Sequence, residues 1–274
     1  MRQALWTIAL IAIFQSTLSS ARINPPQGMT EEVEQQIQKS SYIFVGTVQK
    51  TNATTVALVP ASDRTAVVRV EEVLSAPKNL ADYTGHDVTV GLREGSSIKA
   101  GDRLAFFTNG GMFGTSVALI EVGHVDAGRD TQNLRRQVAQ AFQKKDDEDL
   151  RKRIAKSSLI VAGKVVKTGP AKLNERQPLT EHDPQWQEAE IAIETVQKGQ
   201  FSARTVSVLF AASADMMWFR SPKLKEGQDG IFLLHKDSVR WPGIKDRYVL
   251  VDPLDYQPRD QDDRVKRLLG RGAN

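Results

Sequence analysis

The sequence predicts a mainly β fold with flanking α-helices, built as an internal duplication of a small five-stranded barrel. Three observations carry this. KSSYIFVGTV (Lys39 to Val48) returns 117 positions later as KSSLIVAGKV (Lys156 to Val165). Each copy is followed by four more short β-rich runs in the same order. A glycine interrupts the first run of both copies at the same place, Gly46 and Gly163, as bulges and barrel corners require.

Each unit is expected to open on a short helix. Val33 and Ile37, and their counterparts Leu150 and Ile154, lie four apart and share a helical face. Thr30 before Glu31 and Glu32 supplies an N-cap and an acidic first turn. The first strand follows as YIFVGTV or LIVAGKV. The second is TAVVRVEEVL (Thr65 to Leu74) against EAEIAIETVQKG (Glu188 to Gly199), with clean alternation at Val68, Val70, Ile191 and Ile193. The third is HDVTVGL (His86 to Leu92) against RTVSVLF (Arg204 to Phe210). The fourth runs from Ile98 to Thr108 and from Leu224 to His235, each opened by Lys-x-Gly. The fifth is TSVALIEV (Thr115 to Val122) against DRYVLVD (Asp246 to Asp252). Charged, helix-period segments close the units at Thr131 to Lys145 and Asp260 to Leu269. Residues 22–145 then form one unit and 146–274 the other. Closing each sheet into a barrel removes exposed strand edges.

The segments Val45-Gly46-Thr47-Val48, Ala162-Gly163-Lys164-Val165, Val196-Gln197-Lys198-Gly199 and Gly227 to Leu234 resemble exported OB-like barrels. In particular they resemble netrin-like and tissue-inhibitor-of-metalloprotease-like modules and related bacterial surface and periplasmic proteins. The resemblance implies helices packed on each barrel, and a binding or inhibitory role more than an enzymatic one. It transfers no functional residue. The disulfides of the eukaryotic members have no counterpart, since the chain has no cysteine.

The N-terminus reads as a secretory signal peptide over residues 1–21. Arg2 provides the charge, ALWTIALIAIF (Ala4 to Phe14) the apolar core, and Ser19 and Ala21 the small cleavage-site positions. The apolar run is far below the ~20 residues that span a bilayer, and no other such run follows. A periplasmic or secreted protein without a transmembrane segment is expected. The 37 basic and 33 acidic side chains of the 274-residue chain are interspersed. That is not the one-faced basic stripe of a nucleic-acid binder, so no nucleic-acid partner is expected.

Chemistry-bearing patterns are sparse. Without cysteine there is no thiolate nucleophile. There is no Gly-x-Ser-x-Gly elbow and no Walker loop. Gly110 to Gly114 reads as a hairpin loop between the fourth and fifth strands. The histidines are His86, His124, His182 and His235. His124 with Asp126, and His235 with Asp237, are His-x-Asp pairs that would need a third ligand to hold a metal; His182-Asp183 lies in a proline-rich insertion. Aromatic placement is more informative. Trp186, Trp218 and Trp241 all fall in the second unit. ADMMWFR (Ala214 to Arg220) joins the third and fourth strands, where the first unit has the polar REGSSIK. VRWPGIK (Val239 to Lys245) joins the fourth and fifth. Met217, Trp218, Phe219, Arg220, Arg240 and Trp241 are residue types enriched at protein interfaces. They are the expected contacts with an envelope or extracellular protein or a cell-wall component. The expected function is a non-enzymatic binding protein with no cofactor and no metal. The alternatives are an envelope hydrolase with a site between the units, or a metal-binding envelope protein using His124 or His235.

Overall fold

The computed structural model describes residues 30–78, 80, 82–113, 116–129, 131–173, 182–236, 244 and 246–270. The signal segment, Asp237, Arg240 and Trp241 lie outside the described residues.

The first unit runs α1 (Glu31–Gln38), β1 (Tyr42–Thr51), β2 (Thr65–Ser75), β3 (Asp87–Gly91), β4 (Arg103–Phe113), β5 (Ser116–Asp126). Its strands close in the order β1-β2-β3-β5-β4. All pairings are antiparallel except β3 with β5. The second unit repeats this with β6 (Leu159–Pro170), β7 (Trp186–Lys198), β8 (Thr205–Ala211), β9 (Asp229–Lys236) and β10 (Tyr248–Leu250). Its closure is the antiparallel pairing of β10 with β9. The chain is thus a duplicated OB-like barrel. The second unit adds a strand outside the expected set, β11 (Tyr256–Pro258), on the side of β9 away from β6.

The first strands read as unbroken apolar runs because both faces are covered. Tyr42 and Phe44 point into the first barrel, with Phe44 stacked on Phe106 at 5.2 Å. Ile43 points outward, under the helices with Val138 and Ala141. In the second unit Leu159 and Val161 face the barrel interior. Ile160 and Ala162 face Leu150, Ile154, Val265 and Leu268.

The repeated Lys-Ser-Ser now has a mechanical reading. The first serine turns back onto its helix: Ser40 Oγ donates to the Gln36 carbonyl at 2.8 Å, and Ser157 Oγ to that of Ile154 at 2.7 Å. The amide of the second opens the sheet, Ser41 on Thr108 and Ser158 on Leu234. The repeated Lys-x-Gly is a tight turn, not a strand start. Gly101 and Gly227 take φ of +92° and +84°, which glycine adopts without cost. The fourth strands therefore begin later than expected, at Arg103 and Asp229. Gly110 and Gly111, expected in a hairpin loop, are in β4 opposite Leu119 and Ala118.

The two charged segments expected to end one unit and begin the next are one helix, α2 (Thr131–Lys156). Position 145/146 falls inside it. Leu134, Val138 and Ala141 are buried on the first barrel, Leu150 and Ile154 on the second. At 100° per residue these stripes lie about 170° apart around the helix. That is why α2 has no single apolar face. Its C-terminus is closed by Lys198, whose ammonium donates to the carbonyls of Ile154, Ala155 and Ser157 at 2.7, 2.9 and 2.7 Å. Those are groups a helix end leaves open. Burial pushes the Lys198 pKa down. The last helix, α3 (Asp262–Gly270), packs beside α2 through Val265 and Leu268.

The copies differ where charge matters. In the first, Arg103 meets Glu71 directly at 2.7 Å. By register Asp229 and Glu194 occupy those places in the second. Two carboxylates would repel, and Arg259, just after β11, bridges both at 2.5 and 2.6 Å. The extra strand delivers this arginine.

Candidate functional site: the turn between β8 and β9 and the groove beside it

The connection Ala212–Gln228 begins with a compact turn. Asp215 initiates it: its carboxylate accepts from the Met217 amide at 2.8 Å, and its carbonyl from those of Trp218 and Phe219 at 2.9 and 2.8 Å. His182 Nδ1 lies 3.0 Å from the other Asp215 oxygen. These contacts hold the Asp215 carboxyl below its ordinary pKa, the Met217 amide first among them.

Trp218 points inward and is only 7% exposed. It meets Trp186 edge-on at 6.1 Å, and its Nε1 donates to the His182 carbonyl at 2.8 Å. Lys223 completes the support. Its ammonium donates to the carbonyls of Ala211, Ser213 and Trp218 at 2.5, 2.9 and 2.9 Å, and burial lowers its pKa. Lys223→Met is expected to cost about 1–3 kcal/mol by orphaning these carbonyls. Trypsin cleavage after Arg220, followed by mass spectrometry, should accelerate while the rest of the chain stays resistant. Unchanged cleavage would show that the lysine does not hold the turn.

On this braced support the remaining side chains face solvent. Met216 is 85% exposed, Met217 71% and Phe219 61%, and Arg220 is exposed beside them. Of the six expected contact residues, Met217, Phe219 and Arg220 are thus exposed on this turn, and Met217 and Arg220 line the same groove. Trp218 braces it from below, and Arg240 and Trp241 are outside the described residues. Met216 was not among the six, although it lies in the same sequence run.

Beside the turn lies a groove of about 540 Å³. Met217 and Arg220 form one wall, and Lys145, Asp146 and Asp149 of α2 another; Val251, Pro253 and Leu254 are also part of its lining. Lys145 and Asp149 neutralise each other at 2.7 Å. Among the described residues, neither Arg220 nor Asp146 makes a side-chain hydrogen bond or ion pair.

Next to this lining is a buried ionic cluster that sequence reasoning missed. Asp255 is fully buried. One carboxylate oxygen accepts from Arg153 Nη2 at 2.7 Å and from the amides of Val251 and Asp252 at 2.8 and 2.9 Å. The other accepts from Arg153 Nε and lies 3.0 Å from His235 Nε2. Burial alone would raise the Asp255 pKa; His235 and Arg153 outweigh it and hold it below the ordinary range. The readable signal was Asp252-Pro253-Leu254-Asp255. It is a capping box with proline in the first turn of a short 3₁₀ helix.

The histidine pairs behave differently from their sequence spacing. His124 Nδ1 meets Glu121, not Asp126, at 2.6 Å, while Asp126 accepts from the Gly128 amide. Glu121 has a fully buried side chain and also accepts from the Arg93 amide at 3.1 Å. By register it stands where the second barrel has Leu250. Burial opposes its charge, but His124 and Arg93 keep its pKa below the usual value. The signal was parity: in β5, Val117, Leu119 and Glu121 are the buried alternates. His182 pairs with Asp215, and Asp237 lies outside the described residues. Among the described residues no group of three or more His, Asp or Glu side chains could hold a metal ion, and no helix is long and apolar enough to cross a membrane.

A scan against protein-family models and a search of curated proteins returned no match.

Proposed function

We propose that the chain is an exported, non-enzymatic binding protein in which two OB-like barrels present a protein-docking surface on the β8–β9 turn. One observation carries this reading. Met216, Met217 and Phe219 are held in water on a turn braced by Trp218, Asp215 and Lys223. Exposed clusters of large apolar side chains mark interaction sites, and a rigid support lowers the ordering cost of binding. The first unit has only the polar Arg93 to Lys99 at this place, so the surface belongs to the second. The resemblance to netrin-like modules points to the same class of function, and the signal-like N-terminus to an envelope or extracellular partner.

The test is capture by crosslinking and mass spectrometry from the native host. Wild type is compared with Met216→Ser/Met217→Ser/Phe219→Ser. All three residues are exposed, so circular dichroism and thermal midpoint should match wild type. Partners captured by wild type are expected to be lost from the variant. A folded variant that captures the same partners as wild type would sink the reading.

A further inference from the structure

We propose that the groove between α2 and the β8–β9 turn takes a short peptide segment of the partner, with an apolar anchor flanked by a carboxylate on one side and a basic group on the other. This rests on the reading of the turn as a protein-docking surface, and names the chemistry it selects.

The lining determines the ligand class. The apolar part is Met217, Val251, Pro253 and Leu254. Its volume of about 540 Å³ is in the range of small-ligand sites. Met216 and Phe219, exposed on the same turn, add apolar surface outside the groove's lining. A ligand that used all of it would be longer than a free amino acid, so a chain segment fits better. Methionine adapts its shape to different apolar groups. The anchor should therefore tolerate exchange among leucine, methionine and phenylalanine.

Charge supplies the selectivity. Lys145 and Asp149 are already paired within α2, and the Asp252 carboxylate is engaged by the Leu254 amide. Arg220 on the turn and Asp146 on the helix are left, opposite in sign and on different walls. Each keeps its hydration until a partner arrives, and a segment with matching ends satisfies both at once.

The experiment is fluorescence anisotropy with the full chain and labelled, end-capped peptides of the form Glu-Gly-Leu-Gly-Lys. Companion peptides replace Glu by Lys, Lys by Glu, or both by Gln. The Glu/Lys peptide should bind best, and the Gln peptide about fivefold more weakly for each charge removed. Arg220→Glu should weaken the Glu/Lys peptide and be rescued by the peptide with Lys in place of Glu. Asp146→Lys should be rescued by the peptide with Glu in place of Lys. Such reciprocal rescue is the signature of direct coupling. Both replaced side chains are exposed and unpaired, so neither variant should lose its fold.

Absence of rescue, equal affinity for charged and Gln peptides, or no binding of any peptide overturns the proposal. Binding of free leucine as tight as that of the peptide overturns it in favour of a small-molecule pocket. Should the triple serine variant lose its captured partners while Arg220→Glu and Asp146→Lys keep them, the docking surface stands and the charge-selected peptide falls.

Discussion

Asp255→Ala is expected to destabilise the protein by about 3–5 kcal/mol, the cost of stranding a charge whose buried partner is removed. The carboxylate gathers Arg153, His235 and two backbone amides in one place where water is excluded. Arg153 comes from α2, 102 positions away in sequence. The substitution should therefore loosen the seat of α2 on the second barrel as well as the 3₁₀ turn. Urea unfolding at neutral pH measures it, and a loss below about 1 kcal/mol would show that the cluster is solvated and weak.

The same group predicts the acid limb of stability. Asp255 and Glu121 both have folded pKa values below their unfolded ones. Each binds protons more readily unfolded. Their contribution is therefore complete above the ordinary carboxylate values, about 4, and is lost as pH falls below them. The urea midpoint should drop steeply below about pH 4 in wild type. The drop should be shallower in Asp255→Ala, and an unchanged slope would remove Asp255 from the account.

Gly163→Ala is the second large effect. A Cβ at this position collides with the Ala192 carbonyl across the β6–β7 ladder. The obstacle is backbone, which cannot swing aside as a side-chain tip does. Overpacking of this kind costs about 1–3 kcal/mol, and the upper end is expected. Gly46→Ala should behave alike, since its Cβ would lie 2.6 Å from the Arg69 carbonyl. Gly111→Ala is the control, with nothing within 4 Å of the added methyl. Thermal midpoints that fall equally in Gly163→Ala and Gly111→Ala would show that the bulge does not depend on the missing side chain.

Gly46 and Gly163 were legible because the bulge at each, a register shift at Val45/Gly46 and at Ala162/Gly163, imposes the same local demand in each copy. The strand runs were legible for the same kind of reason. Val68 and Val70 alternate because one face of β2 meets a barrel interior, whatever the rest of the chain does. The candidate site was legible only in part. Exposed apolar side chains and a buried tryptophan look alike in Met216 to Phe219. Which of them turns inward depends on Trp186 and His182, supplied by a distant segment.

The duplication, the order of the ten strands β1 to β10 and the asymmetry of the β8–β9 connection were readable from the amino acids alone. Each of these is written in local period or in a repeat, and local sterics and hydrogen bonding enforce them within a few residues. Long-range packing brought the rest: two charged segments fuse into α2, Glu121 meets His124, Arg259 reconciles Asp229 with Glu194, and Asp255 finds Arg153. Charged groups choose partners by distance in space and by how much water is excluded around them, and neither quantity exists until the barrels have closed.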